Sequence, residues 1–148
     1  MELKNNQTFN LVKAIKKTNN EILKQESEIV RKYSLTASQY GVLECLYIKG
    51  DMHINDLIRR LISTSGTMTV VVRNLEKMQY VTKKTDLTDK RFFKIGLTQK
   101  GEELVRAILP ERVRQLEDFV NTLTNEEQNI LLDILYKFKV RYKGKENE

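Results

Sequence analysis

A mainly α-helical chain is the fold class this sequence predicts, with long terminal helices around a compact middle of short helices and one β-hairpin. Three observations predict it. The 148 residues include one Pro and six Gly, too few turn formers for a loop-rich or all-β chain. Apolar residues recur at helical spacing over most of the length. Two short runs rich in β-branched and aromatic residues flank a single polar turn. The length suits one domain, residues 1–148, with a real core.

The elements follow in order. Phe9, Val12, Ile15, Ile22, Ile29, Val30 and Tyr33 define a first helix over about residues 8–33. Asn19 and Glu26 interrupt its stripe, so part of this helix is expected to face a partner or a cleft. Thr36 can cap a second helix and Gln39 can return the bond, with Leu35 stapled onto Tyr40. That helix carries Val42, Leu43, Leu46 and Tyr47 and ends at Gly50-Asp51. Met52-His53-Ile54 is extended, and a third helix starts at Asn55 or Asp56 with Leu57, Ile58 and Leu61 on one side. After a short turn comes Ser63 to Asn74, discussed below. Residues 80–85 and 92–97 read as strands of a hairpin, and 86–91 as its charged tip. Thr98 caps a long helix with Leu104, Ile108, Val113, Leu116 and Phe119, which Pro110 is expected to kink or restart. Thr124 to Glu127 forms a capping box for the last helix, which carries Ile130, Leu131, Ile134, Leu135 and Phe138.

The stretch STSGTMTVVVRN is the least ordinary. Its hydroxyls and β-branched residues favour strand. Placed on a helix, however, Met68, Val71, Val72, Leu75 and Met78 gather on one side, and Gly66, Thr69, Val70, Arg73 and Lys77 on the other. A strand would put Met68, Val70 and Val72 on one face with Asn74, without continuity to Leu75. The helix accounts for more, with Ser63 or Thr64 as its cap. A solvent-facing helix would carry Glu and Lys outside. This outer face is small and hydroxylated and has no acid, which suits close approach to the major groove. A short helix, a tight turn and this helix make a helix-turn-helix.

Charge points the same way. The net charge is +6. Residues 52–97 hold 9 basic and 4 acidic side chains, whereas residues 98–148 hold 9 and 10. A local basic patch is the footprint expected for a polyanion, although a solvated basic face would show the same balance. At the hairpin tip, Asp89 can orient Arg91 beside Lys90, and an Arg on a projecting hairpin can enter a minor groove. An ordinary charged turn with a local ion pair fits the tip as well.

The series Leu35 to Leu43, then Ser65 to Thr69 leading to Asn74-Leu75-Glu76, then Asp86 to Arg91, then Leu97 to Gly101, resembles the MarR family of bacterial winged-helix transcription regulators. The family's wing carries an Asp, two residues, an Asp and two basic residues, matched by Asp86, Asp89, Lys90 and Arg91. The resemblance implies a winged helix-turn-helix over 35–97, made of the second to fourth helices plus the hairpin wing, with dimerisation helices at 8–33 and 98–143. It implies a homodimer on a pseudo-palindromic operator in double-stranded DNA. By position, Thr64, Ser65, Thr67, Thr69, Val70, Arg73 and Asn74 would face the major groove or nearby phosphates. Asp89, Lys90 and Arg91 would serve the minor groove, and Thr36 and Ser38 would meet phosphates. It further implies a repressor released by a small aromatic or anionic effector.

Other classes find less support. There is no Gly-rich phosphate loop or nucleophile elbow, so no enzyme and no cofactor are expected. One His and one Cys make a zinc site poorly supported. Cys45 reads as a small buried apolar residue, and His53 as a surface or packing histidine. Tyr33, Tyr40 and Tyr47 are candidates for an effector cleft, or simply core residues. No segment has the apolar length of a membrane span and the N-terminus has no signal core, so a cytoplasmic protein without a membrane partner is expected. A helical dimer whose basic middle binds protein or RNA is the second reading.

Overall fold

The computed structural model describes residues 6–86 and 93–143. Six helices and three strands occur among the described residues. The chain divides into two compact units, residues 1–112 and 113–148.

In the first unit, α1 (Gln7–Arg31) starts at Asn6, whose side chain accepts from the Phe9 backbone N–H at 3.2 Å. α2 (Ala37–Lys49) has the expected reciprocal box: Gln39 N–H donates to Thr36 Oγ1 at 3.2 Å, and Thr36 N–H to Gln39 Oε1 at 2.9 Å. Strand β1 (Met52–His53) leads directly into α3 (Ile54–Arg60). The helix therefore starts ahead of Asn55, with His53 as a cap that makes no side-chain cap bond. Pairing of Met52 with Ile95 and His53 with Lys94 holds the chain extended up to that point. α4 (Ser65–Lys77) is a helix, as the period of its apolar residues predicted, and Thr64 is the residue that caps it. β2 (Val81–Thr85) and β3 (Phe93–Leu97) form the hairpin, and the antiparallel sheet has the order β1-β3-β2.

Three of these helices end alike. Leu35 N–H donates to Val30 O, Ser63 N–H to Ile58 O and Tyr80 N–H to Leu75 O, at 3.0–3.1 Å. The residue before each donor, Ser34, Ile62 or Gln79, takes a positive φ. This is the left-handed helix stop, usually occupied by Gly.

The core is shared by all these elements. Val30, Tyr40, Leu43, Leu57, Met68, Val72, Leu75, Val81, Ile95, Val105 and Ile108 are buried in one cluster. Each such side chain contributes about 1.5–3 kcal/mol by leaving water. α5 (Gln99–Val120) closes the unit through Gly101, Val105, Ile108 and Arg112. It runs through Pro110 without restarting. Pro removes one helical hydrogen bond, and Ile108 before it and Arg112 after it are both buried.

Glu26, an interruption in the α1 stripe, has a partner here. Its Oε2 accepts from Arg112 Nη2 at 3.0 Å, and the two side chains are only 14% and 8% exposed. Burial pushes the Glu26 carboxyl above its ordinary 4.5, with Arg112 pulling it down and Glu44 adding to the rise. The folded chain therefore takes up this proton at a higher pH than the unfolded chain. The resulting stabilisation is complete below about pH 4.5 and is lost as pH rises through the folded value. Glu26→Gln fixes the neutral form. Urea unfolding across that window is expected to show a shallower loss of stability with rising pH in this variant than in wild type. Parallel curves would remove Glu26 as the source.

In the second unit, α6 (Asn125–Lys143) opens with the expected box: Glu127 N–H donates to Thr124 Oγ1 at 3.3 Å, and Thr124 N–H to Glu127 Oε2 at 2.8 Å. Its apolar residues Ile130, Leu131, Ile134, Leu135 and Phe138 are all exposed in the single chain.

Candidate nucleic-acid interface

The site is built on α4. Met68, Val72 and Leu75, at i, i+4 and i+7, are buried and anchor the helix. The opposite face is open: Thr64, Ser65, Gly66, Thr67, Thr69, Val70, Arg73, Asn74 and Lys77 are exposed. Every expected α4 contact residue therefore lies on the outward side. No acidic residue falls on it, because Glu76 is turned aside and pairs with Lys83 at 3.1 Å.

The hydroxyls are partly committed within the helix. Thr64 Oγ1 accepts from Thr67 N–H at 3.2 Å and donates to Thr67 Oγ1 at 2.9 Å. Accepting there leaves Thr67 its own hydroxyl hydrogen. Thr69 Oγ1 donates to Ser65 O at 2.8 Å, so it presents lone pairs and a methyl outward. Thr67 and Thr69 are thus chemically different towards a ligand: one donates, the other accepts. At Gly66 a Cβ would meet nothing within 4 Å. The glycine keeps the first turn flat rather than relieving a clash.

Thr36 and Ser38 lie at the start of α2 and line a hollow of about 350 Å³ with Ser27, Arg31, Leu35 and Ala37. Arg31 was not among the expected contacts, yet it lines the hollow at this helix start. The signal available in the sequence was its spacing, five residues ahead of the cap.

Asp89, Lys90 and Arg91 lie outside the described residues. The strand ends that lead into the tip are described, and there Asp86 is not solvated. Asp86 is buried at 5% exposure, with Oδ2 2.9 Å from His53 Nε2 and 3.3 Å from Lys94 Nζ. His53 Nδ1 lies 3.2 Å from Phe93 O. His53 therefore ties the entry of α3 to both strands of the hairpin.

The three tyrosines differ in their surroundings. Tyr40 is sealed in the core with its hydroxyl 3.2 Å from Glu44 Oε1. Tyr47 lines a separate hollow with Asp51, Lys84 and Glu102. Tyr33 is half-buried against the core. A larger hollow of about 530 Å³ lies between α3 and the sheet, with Ile54, Phe93 and Ile95 as apolar lining and Arg59 and Lys83 as cations. Cys45 is half-buried, 4.0 Å from Met52 Sδ, and burial pushes its thiol up. A raised thiol holds little of the reactive thiolate. Among the described residues no group of His, Cys, Asp and Glu could hold a metal ion, and no helix is long and apolar enough to cross a membrane.

The sequence pattern of the family described as Transcriptional regulator SarA/Rot matches residues 24–108. The chain is 28% identical to the HTH-type transcriptional regulator MhqR of Bacillus subtilis over 119 residues, covering 80% of this chain and 82% of that one. A putative MarR-like transcription regulator from Bacillus cereus superposes with a TM-score of 0.77 at 25% identity, covering 89% and 95% of the two chains. The Staphylococcus aureus MepR–DNA complex superposes with a TM-score of 0.78 at 24% identity, covering 87% and 95%.

Proposed function

This chain belongs to the SarA/Rot family of transcriptional regulators and has the winged-helix fold of MarR-type regulators, and from that premise we propose that it represses as a homodimer on a pseudo-palindromic operator and is released by a small aromatic or anionic effector. The observation that carries the DNA reading is the outer face of α4. It offers small side chains, hydroxyls and Arg73, with no carboxylate. On this reading Thr64, Ser65, Thr67, Thr69, Val70, Arg73 and Asn74 meet the major groove, and Thr36 and Ser38 meet phosphates. Asp89, Lys90 and Arg91 serve the minor groove. A similar fold is known bound to DNA in MepR.

Exposed apolar rows support the homodimer. Phe9, Leu11, Val12 and Ile15 on α1, and Ile130, Leu131, Ile134, Leu135 and Phe138 on α6, lie at 42–54% exposure. Rows of this length are interfaces rather than free surface. Residues 8–33 and 98–143 would thus dimerise, leaving 35–97 for DNA. The hollow between α3 and the sheet supports the effector, since apolar walls with Arg59 and Lys83 suit an aromatic anion. Such a ligand would displace the carboxylates Asp56 and Glu76 that now pair with those cations.

Selection of bound genomic fragments, followed by salt titration on a recovered duplex, tests the proposal. A two-fold symmetric site and affinity falling steeply with salt are expected. Affinity independent of base sequence would turn the reading towards the interaction-module alternative. In the same assay Arg73→Ala is expected to cost about 1–3 kcal/mol and to relax base preference. An unchanged site profile would remove Arg73 from base readout.

A further inference from the structure

Three helices of the first unit stop in the left-handed conformation, and the residue at the stop differs in a telling way. Ser34 and Gln79 are polar residues without a branched Cβ. Ser34 leads into buried Leu35, and Gln79 gives its carbonyl to Thr98 Oγ1 at 2.7 Å. Both stops are thereby fastened to the fold.

Ile62 holds the third stop, at φ 49. A β-branched residue is an outlier there, where its Cβ crowds the backbone and Gly or Asn is usual. Its side chain is also 95% exposed, so packing in the isolated chain offsets neither the strain nor the contact of an isoleucine with water. The following residue, Ser63, completes the turn by donating to Ile58 O at 3.0 Å, which any residue at position 62 would permit. The turn thus explains the backbone conformation but not the isoleucine.

The place of Ile62 supplies the explanation. It stands two residues ahead of Thr64, the cap of α4, and follows Arg59 and Arg60 on α3. It is therefore continuous in sequence with the acid-free outer face of α4. We propose that Ile62 is a DNA-contacting residue, making an apolar contact on the duplex from the turn between α3 and α4. The inference rests on the DNA-binding reading above. Its strain persists because the contact is made only in the complex. No charge is neutralised by it, so it adds affinity without adding to the salt dependence.

The test uses the full chain, its Ile62→Asn and Ile62→Gly variants, and a duplex recovered by the genomic selection. Both residues suit the left-handed stop, so both variants are expected to melt at a higher temperature than wild type. Both are expected to bind the duplex about tenfold more weakly, with an unchanged slope of log affinity against log salt. Unchanged affinity in the folded variants overturns the inference and leaves the regulator reading intact. A lower melting temperature in both variants also overturns it, because Ile62 would then be serving the fold. A changed salt slope overturns the apolar nature of the contact. Failure of the wild-type chain to bind any duplex overturns the regulator reading and this inference together.

Discussion

Gly101→Ala is expected to destabilise the fold by about 3 kcal/mol or more, at the upper end of the range for overpacking. A Cβ at this position would lie 2.0 Å from the Tyr80 carbonyl oxygen and 2.9 Å from its carbon. Both atoms are backbone, so no side-chain rotation relieves the clash. The surrounding joint is tightly bonded. Thr98 N–H donates to Tyr80 O at 3.1 Å, Thr98 Oγ1 to Gln79 O at 2.7 Å, and Gly101 N–H to Thr98 Oγ1 at 3.0 Å. Lys100 Nζ donates to Met78 O at 2.9 Å and lies 4.8 Å from the centre of the Tyr80 ring. The end of α4 and the start of α5 are thereby locked at van der Waals distance. Alanine's higher helix propensity offers only about 1 kcal/mol in return. Urea unfolding of the variant measures the loss. A midpoint equal to that of wild type would mean the joint can open without cost.

Val70→Glu is expected to abolish duplex binding, by on the order of 100-fold or more, while leaving the fold intact. Val70 is 45% exposed on the open face of α4, and Glu is a better helix former than Val. Thermal stability should therefore hold or rise. On DNA the new carboxylate would face phosphates on a surface that otherwise carries no acid, and like-charge contact costs several kcal/mol. Affinity within twofold of wild type would show that this face does not approach the duplex.

Much of the fold was legible in local chemistry. The capping boxes at Thr36–Gln39 and Thr124–Glu127 formed as read, because a cap is made by residues three apart. The α4 face was legible for the same reason, since helical period alone separates Met68, Val72 and Leu75 from Thr69, Val70 and Arg73. Other readings stayed open or failed for want of information about partners. Asp86 read as part of a charged turn at the hairpin tip, yet it is buried against His53, 33 positions earlier in the chain. Of the two readings open for Tyr40, cleft or core, only its burial in the tertiary structure selects the core. Of the kink or restart expected at Pro110, the continuous α5 shows no restart, and the helix is buried on both sides of the proline.

The amino-acid sequence by itself determined how α2, α4 and α6 are capped and which side of α4 faces outward. Each of these depends on residues within a turn or two of one another. Only the tertiary structure decided that Glu26 meets Arg112 across 86 positions, that the Asp86 carboxylate is buried, and that Gly101 lies against the Tyr80 carbonyl. These contacts join distant segments, and their energies exist only once the core has packed those segments together.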